Sequence, residues 1–375
     1  MSIKDSNQIT LPEDTKTWET FLKENTGRQF TVLSVEPLQR DKAYVGGLGD
    51  TVFINLEDSK RLVAKISKAG GMGRDYQEDR ARDALWTLSK STLPRQPKTI
   101  AVGSLKEGRL VPLSSGTEYF VVSEEAQGRS YHLFLSDALK RGNINEDDRK
   151  AALKLSDYLV DIHKTKGFPS LYKRHLIDVV GSTEGMMGVV TYLWNELPEE
   201  QVKEKFGKSK TELRKDILEL KKKTIEYADT IEDKIHRSSQ IHGDYHPYEN
   251  IRFENYPQEF WILDRSRAEF GEPADDVVAM WMNYLNHALL DKGNYSGMFR
   301  ELGDSFIENY LKKTNDYEML EVVQPFVVWR GLVLSTPKWY PATPIDVRHK
   351  IFNFMKNVSE VKEFDPNKTN SYLLE

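Results

Sequence analysis

Apolar positions come in short runs along the first third of the chain and in threes and fours along the rest. "TVLSVEPL" (31–38), "TVFINL" (51–56), "RLVAKI" (61–66) and "YFVVS" (119–123) are rich in β-branched and aromatic residues and bounded by Gly, Asp, Asn or Pro, which predicts strands. A charged periodic stretch, "DYQEDRARDALWTLSK" (75–90), predicts a helix among them, and Trp18, Phe21 and Leu22 predict a short amphipathic helix before them. Beyond residue 125 helical spacing takes over. Ala152, Leu155, Leu159 and Ile162 line one face of a helix that Asn145 would cap. Leu213, Ile217, Leu220, Thr224, Ala228, Ile231 and Ile235 line another, with the Lys221–Lys223 triplet as its solvated side. Further helices are expected at about 274–290, 297–312, 318–335 and 344–357. The pattern predicts an α+β chain: a sheet-rich N-terminal lobe over 1–123, a connector at 124–128, and a helical C-terminal lobe over 129–375 with an elaboration at about 168–240.

Composition narrows the function classes. With 53 basic and 58 acidic residues in 375, the net charge of −5 gives no broad basic surface, which argues against nucleic acid as the main partner. There is no cysteine, so disulfides, thiolate nucleophiles and cysteine-held zinc are excluded. The N-terminus lacks the apolar core of a signal peptide, and no apolar run approaches the roughly 20 residues of a membrane span. A soluble, cytoplasmic protein is expected.

The chemistry concentrates in "QIHGDYHPYENIRF" (240–253). "NIRF" reads as the start of a strand, "ENYPQ" (254–258) as a turn and "FWILD" (260–264) as the returning strand. A hairpin makes its first and last residues neighbours, so Asn250 and Asp264 would meet at the open end, with Asp244 in the loop just before. Three oxygen-bearing side chains would converge there, the chemistry a hard cation such as Mg²⁺ takes, often shared with substrate phosphates. His242, Asp244 and His246 could alternatively hold zinc, as in a metal-dependent hydrolase. His246 could equally be a capped surface histidine, and Asp276 a plain acid at a helix start.

"HGDYHPYEN" followed by "ILDRS" and by "GEPADD" (271–276) resembles the catalytic and metal loops of aminoglycoside phosphotransferases and related small-molecule kinases. The resemblance implies a two-lobed protein-kinase-like fold. It also implies that Asp244 orients the acceptor hydroxyl and takes its proton, that Asn250 and Asp264 hold Mg²⁺ against ATP phosphates, and that His242 and Asp276 brace the loop. Asn250 lies six residues after Asp244, one more than the family pattern. Either a local bulge keeps Asn250 in the role or Glu249 replaces it; Asn250 is preferred because it directly precedes the strand.

A kinase of this kind makes demands elsewhere, in a fixed order. "YVGGLGDTVF" (44–53) supplies Gly46, Gly47 and Gly49 for a turn over phosphates, although hairpin turns are glycine-rich in any case. "LVAKI" supplies Lys65 for the α/β-phosphates, with an ordinary edge-strand lysine as the alternative. Glu78 is the preferred acid on the next helix to pair with Lys65; Asp75 and Asp79 are its rivals. The backbones of Glu124 and Ala126 are placed to hydrogen-bond a purine, leaving ATP or GTP open. Gly243 stands where protein kinases commonly carry Arg, only twelve residues separate Asp264 from Asp276, and no Ala-Pro-Glu follows. These departures favour a small hydroxylated acceptor such as a sugar, amino sugar, aminoglycoside or amino alcohol. Asp178, Glu184, Arg330 and Trp339 are candidates to line its pocket. The alternative within the same fold is a nucleotide-binding regulatory module without transfer activity.

Overall fold

Alternation along β2 (Gly49–Leu56) and β3 (Arg61–Ser67) puts every second side chain on one face, and β1 (Val32–Pro37), irregular between Val32 and Ser34, adds Val32 and Val35 to the same core. The computed structural model describes residues 10–38, 49–67, 73–89, 92–114, 116, 118–265 and 267–375. It divides into two compact units, Met1–Ala126 and Gln127–Glu375.

In the first unit α1 (Thr15–Thr26) precedes the three strands, and α2 (Gln77–Ser89), β4 (Thr99–Lys106), β5 (Arg109–Pro112) and β6 (Glu118–Glu124) follow. The strands form one antiparallel sheet in the order β1-β2-β3-β6-β4-β5. Asp14 caps α1 by accepting the Thr17 N–H (2.8 Å), and the helix lays Trp18, Phe21 and Leu22 on the sheet against Phe120, where the Trp18 and Phe120 rings are 5.7 Å apart. Burying each such ring contributes about 1.5–3 kcal/mol. β4 and β5 were not anticipated. Gly103 interrupts the apolar run of β4 because a side chain there would strike the Phe21 and Phe120 rings. Helix α2 packs on β6 and β4, anchored by a buried fork from Arg80 to Glu118 (2.6 and 2.8 Å).

The second unit opens with β7 (Arg129–Ser130), α3 (Tyr131–Arg141) and α4 (Glu146–Ile162). Asn145 and Asp148 form a reciprocal capping box on α4. Residues 168–240 fold into α5 (Pro169–Gly181), α6 (Met186–Thr191), a π-helical turn (Tyr192–Glu196), α7 (Glu199–Phe206) and α8 (Lys210–Ile231), ending in β8 (Ser239–Gln240). The periodic stretch expected to reach Ile235 stops at Ile231, and Ile235 begins a separate 3₁₀ turn.

The hairpin β9 (Ile251–Asn255) and β10 (Glu259–Ile262) pairs with β7, and β11 (Phe270–Gly271) pairs with β8. Then come α9 (Ala274–Lys292), α10 (Gly297–Thr314), α11 (Gln324–Ser335), α12 (Ile345–Val358) and the short α13 (Thr369–Tyr372). The helix expected over 318–335 is broken: a 3₁₀ turn (Tyr317–Glu321) precedes α11, which restarts with Pro325 in its first turn. Helix α9 is buried from Ala274 to Leu289, as a sequence apolar on nearly every side requires, and packs against α10, α11, α12, α3 and α4. Among the described residues no helix is long and apolar enough to cross a membrane.

Candidate active site

The loop after β8 is fastened before its chemistry begins. Ile241 donates its N–H to the Glu269 carbonyl (3.1 Å), and β8 pairs with β11 at Gln240 and Phe270. Gly271 is demanded by close approach, since a Cβ there would lie 2.4 Å from the His175 imidazole. Arg265 is buried. It donates to the carbonyls of Ile241 (2.9 Å) and Glu269 (2.8 Å), tying the two strand ends together.

His242 is fully buried. Its Nδ1 accepts the Asp244 N–H (3.1 Å), so the proton sits on Nε2, which donates to the Leu263 carbonyl (2.8 Å). Burial pushes the imidazole down to about 4, against the opposing pull of Asp276 and Asp244. With both ring nitrogens spent, His242 has no lone pair for zinc, and the zinc-hydrolase alternative fails on that geometry. No group of three or more His, Asp or Glu side chains able to hold a metal occurs among the described residues.

The next turn needs Gly243, whose φ of +81° lies in the left-handed region. Asp276, in the first turn of α9, braces it. One carboxylate oxygen accepts the His242 N–H (2.7 Å) and the other the Gly243 N–H (2.8 Å), while His163 Nε2 stands 3.2 Å from the first.

Asp244 then projects between cations. Its Oδ1 accepts from Arg330 Nη1 (2.6 Å) and from Arg267 Nη1, and its Oδ2 faces His246 Nε2 at 3.6 Å. Burial would raise this carboxyl, but Arg267, His246 and Arg330 outweigh it and hold it well below the usual carboxylate range. Arg330 is shared. Its Nη2 donates to the Gly243 carbonyl (3.0 Å) and to Asp275 Oδ1 (2.7 Å), and Asp275 Oδ2 meets His175 Nε2 at 3.3 Å.

The extra residue of the loop is absorbed at Glu249. That residue is exposed, adopts a φ of +56° and gives its carboxylate to Arg252 (2.9 Å). Asn250 is the side chain turned inward, its Nδ2 donating to the Asp244 carbonyl (2.8 Å). The Leu263 N–H donates to the Asn250 carbonyl (2.8 Å) just outside the register that pairs Ile251 with Ile262. Asp264 is therefore one residue past Asn250's partner, exposed, with a φ of +60°. The hairpin thus brings Asn250 and Asp264 to the same open end, with Asp244 bonded to the first of them. Arg267 and Arg330 are functional candidates whose grip on Asp244 the sequence reading missed. The available signals were the basic residues directly after Asp264 and a lone Arg in the otherwise apolar α11, a position that demands a buried anion. Asp178 is spent on its own helix, pairing with Arg174 (2.8 Å).

In the first unit, Gly46 and Gly47 lie outside the described residues; Gly49 begins β2 opposite Ser67. Lys65 pairs with Thr51 on β2 and Val121 on β6, so it sits on an interior strand and not at an edge. Glu78 is exposed on the first turn of α2, beside Ala81, Arg82 and Leu85. Asp83, also on α2, accepts from Ser67 Oγ on β3 (3.4 Å) and from Arg74 Nε (3.1 Å). The N–H groups of Glu124 and Glu125 are taken by the Lys98 (2.9 Å) and Arg61 (3.2 Å) carbonyls. Ala126 is the next backbone position.

No family model and no curated protein matches the chain. Among solved structures it is similar to a provisionally assigned aminoglycoside phosphotransferase from Ralstonia eutropha, at 15% identity over 93% of this chain and 98% of that one, with a TM-score of 0.51. It is also similar to an amicoumacin kinase solved with AMP-PNP and Ca²⁺ (14%, 89% and 91%, TM-score 0.48) and to a Plasmodium vivax ethanolamine kinase (12%, 90% and 80%, TM-score 0.45). The chain has the protein-kinase-like α+β fold of the Ralstonia protein.

Proposed function

We propose that the chain moves the γ-phosphoryl group of ATP, or GTP, to a hydroxyl of a small molecule. The observation that carries this reading is the inward turn of Asn250 onto the Asp244 carbonyl (2.8 Å), with Asp264 beside it across the hairpin. Asn250 and Asp264 offer oxygen donors only, too few to cage an ion by themselves. This suits Mg²⁺, which keeps waters and fills its shell with substrate phosphates. Bound there, Mg²⁺ would neutralise phosphate charge. In the first unit, Lys65 with Glu78 as its acid would serve the nucleotide's phosphates, and the backbone at Glu124–Ala126 would take the purine.

Asp244 is the acceptor's partner. A carboxylate held this far below its ordinary range is a weak base. Its role is to orient the hydroxyl and to receive its proton late, as the new oxygen–phosphorus bond forms and the bond to the departing ADP oxygen breaks. Positioning then supplies most of the rate. Transfer from γ-labelled ATP with Mg²⁺ should be assayed against sugars, aminoglycosides and amino alcohols. Replacing Asp244 by Ala should lower turnover by about 10²- to 10⁴-fold with nucleotide affinity kept. Unchanged turnover in D244A would remove the proposed base. The two guanidiniums on Asp244 are what favour the second reading, a nucleotide-binding module without transfer activity. Tight nucleotide binding by the unaltered chain with no transfer to any acceptor would select it.

A further inference from the structure

Arg330 is a positively charged side chain inside an apolar helix, buried, and 86 positions away in sequence from the carboxylate it touches. A buried guanidinium is retained only where its donors are met, and here four bonds meet them. Nη1 donates to Asp244 Oδ1 (2.6 Å), Nη2 to the Gly243 carbonyl (3.0 Å) and to Asp275 Oδ1 (2.7 Å), and Nε to the same Asp275 oxygen (3.2 Å). Asp275 is itself fixed from the other side. The Glu272 N–H donates to His175 Nδ1 (3.1 Å), which leaves the His175 proton on Nε2, facing Asp275 Oδ2 (3.3 Å). One chain of bonds therefore runs from α5 through the first turn of α9 and α11 to the loop carboxylate.

The two oxygens of Asp244 are not equivalent. Oδ1 receives Arg330 and Arg267, which fills its lone pairs. Among the described residues Oδ2 faces His246 Nε2 alone, at 3.6 Å, beyond hydrogen-bond length. We propose that Arg330 is a positioning residue for the phosphoryl transfer: braced by Asp275, it pins Asp244 Oδ1 and the Gly243 carbonyl, so that Oδ2 alone is presented to the acceptor hydroxyl. This rests on the reading of Asp244 as the acceptor's partner. The proton leaving the acceptor oxygen then goes to Oδ2, while that oxygen bonds to the γ-phosphorus and ADP departs with the electron pair of the broken bond. Asp275 also cancels the charge of Arg330, so that the clamp adds no net charge beside the acceptor.

A lysine at 330 keeps a cation for Asp275, but its single ammonium cannot reproduce the flat fork that spans Asp244, Gly243 and Asp275. Misplacing a reacting group by about 1 Å costs about 10²-fold in rate. The full-length protein and its R330K and R330M variants should be compared for ATP consumption with Mg²⁺ across the acceptor panel, for nucleotide Kd and for melting temperature. The clamp predicts that R330K stays folded and loses about 10²-fold in kcat, with KM for ATP and nucleotide Kd within about twofold. R330M should lose at least as much, because it leaves the buried Asp275 without its cation and Asp244 with Arg267 alone. Wild-type kcat in R330K, or a loss confined to KM or matched by a lost nucleotide affinity, would overturn the clamp and leave the phosphotransferase reading intact. No ATP consumption by the unaltered protein with any acceptor would overturn both. If the variants fail to fold, a crystal structure of the unaltered protein with AMP-PNP and Mg²⁺ decides. Arg330 Nη1 still bonded to Asp244 Oδ1, with Oδ2 open, supports the clamp; Arg330 withdrawn from Asp244 overturns it.

Discussion

Replacing Asp276 by Ala separates bracing from chemistry. In the native chain the Asp276 carboxylate accepts the His242 N–H at 2.7 Å and the Gly243 N–H at 2.8 Å, with His163 Nε2 at 3.2 Å, and all four residues are shut away from solvent. Alanine leaves both backbone donors buried without an acceptor. An orphaned buried donor costs about 1–3 kcal/mol, so the pair should cost about 4 kcal/mol. In a unit the size of Gln127–Glu375, each kcal/mol lowers the melting temperature by about 2–4 °C, which predicts a fall of about 8–16 °C. Thermal unfolding followed by tryptophan fluorescence, which reports on the buried Trp281 and Trp329, measures it. Asp264→Ala is the matched control. Its side chain is exposed but its backbone is left-handed (φ +60°), so it should cost no more than about 1–2 kcal/mol while abolishing Mg²⁺-dependent nucleotide binding. A fall below about 2 °C in D276A, or equal falls in the two variants, would refute the bracing argument.

Asn250→Ala should cost about 1–3 kcal/mol and weaken metal-dependent nucleotide binding, because it strips the donor from the Asp244 carbonyl; the exposed Glu249→Ala should do neither, and urea midpoints with nucleotide titrations compare them. Gly243→Ala has room for its methyl, with Arg267 Cβ at 3.4 Å, so its cost is the left-handed backbone, about 1–2 kcal/mol in the urea midpoint. Acid should destabilise the fold above the range of carboxylate titration. Burial holds His242 down to about 4, whereas the unfolded chain titrates near 6.5, so the unfolded state binds more protons between those values and stability falls as pH drops through that window. The loss from this ring is about 2 kcal/mol at pH 5. His132, held to about 4 by burial and then by His287 and His246, adds the same sign. Urea unfolding at pH 7.5 and pH 5 reads the sum, and equal stability at the two would contradict it.

Much of the site was legible because its spacing is local. A hairpin's ends are neighbours whatever surrounds them, so "ENIRF" and "FWILD" placed Asn250 and Asp264 together, and "GEPADD" placed an acid at the start of α9. The helix rhythms on α4, α8 and α9 were equally local. The misses have physical reasons too. β4 went unread because Gly103 interrupts its run, and the glycine is there for two aromatic rings contributed by α1 and β6.

By itself the sequence determined an α+β chain, the hairpin at the candidate site and the carboxylates that an ion and a hydroxyl would need, since these follow from periodicity and from neighbours along the backbone. Only the tertiary structure decided which oxygen of Asp244 is left open, whether Asn250 or Glu249 turns inward, and that His242 has no nitrogen to spare. Each of those depends on partners dozens of residues away, such as Arg330, Asp276 and Leu263. They meet because buried charges and buried N–H groups must be satisfied wherever the packed helices bring them together.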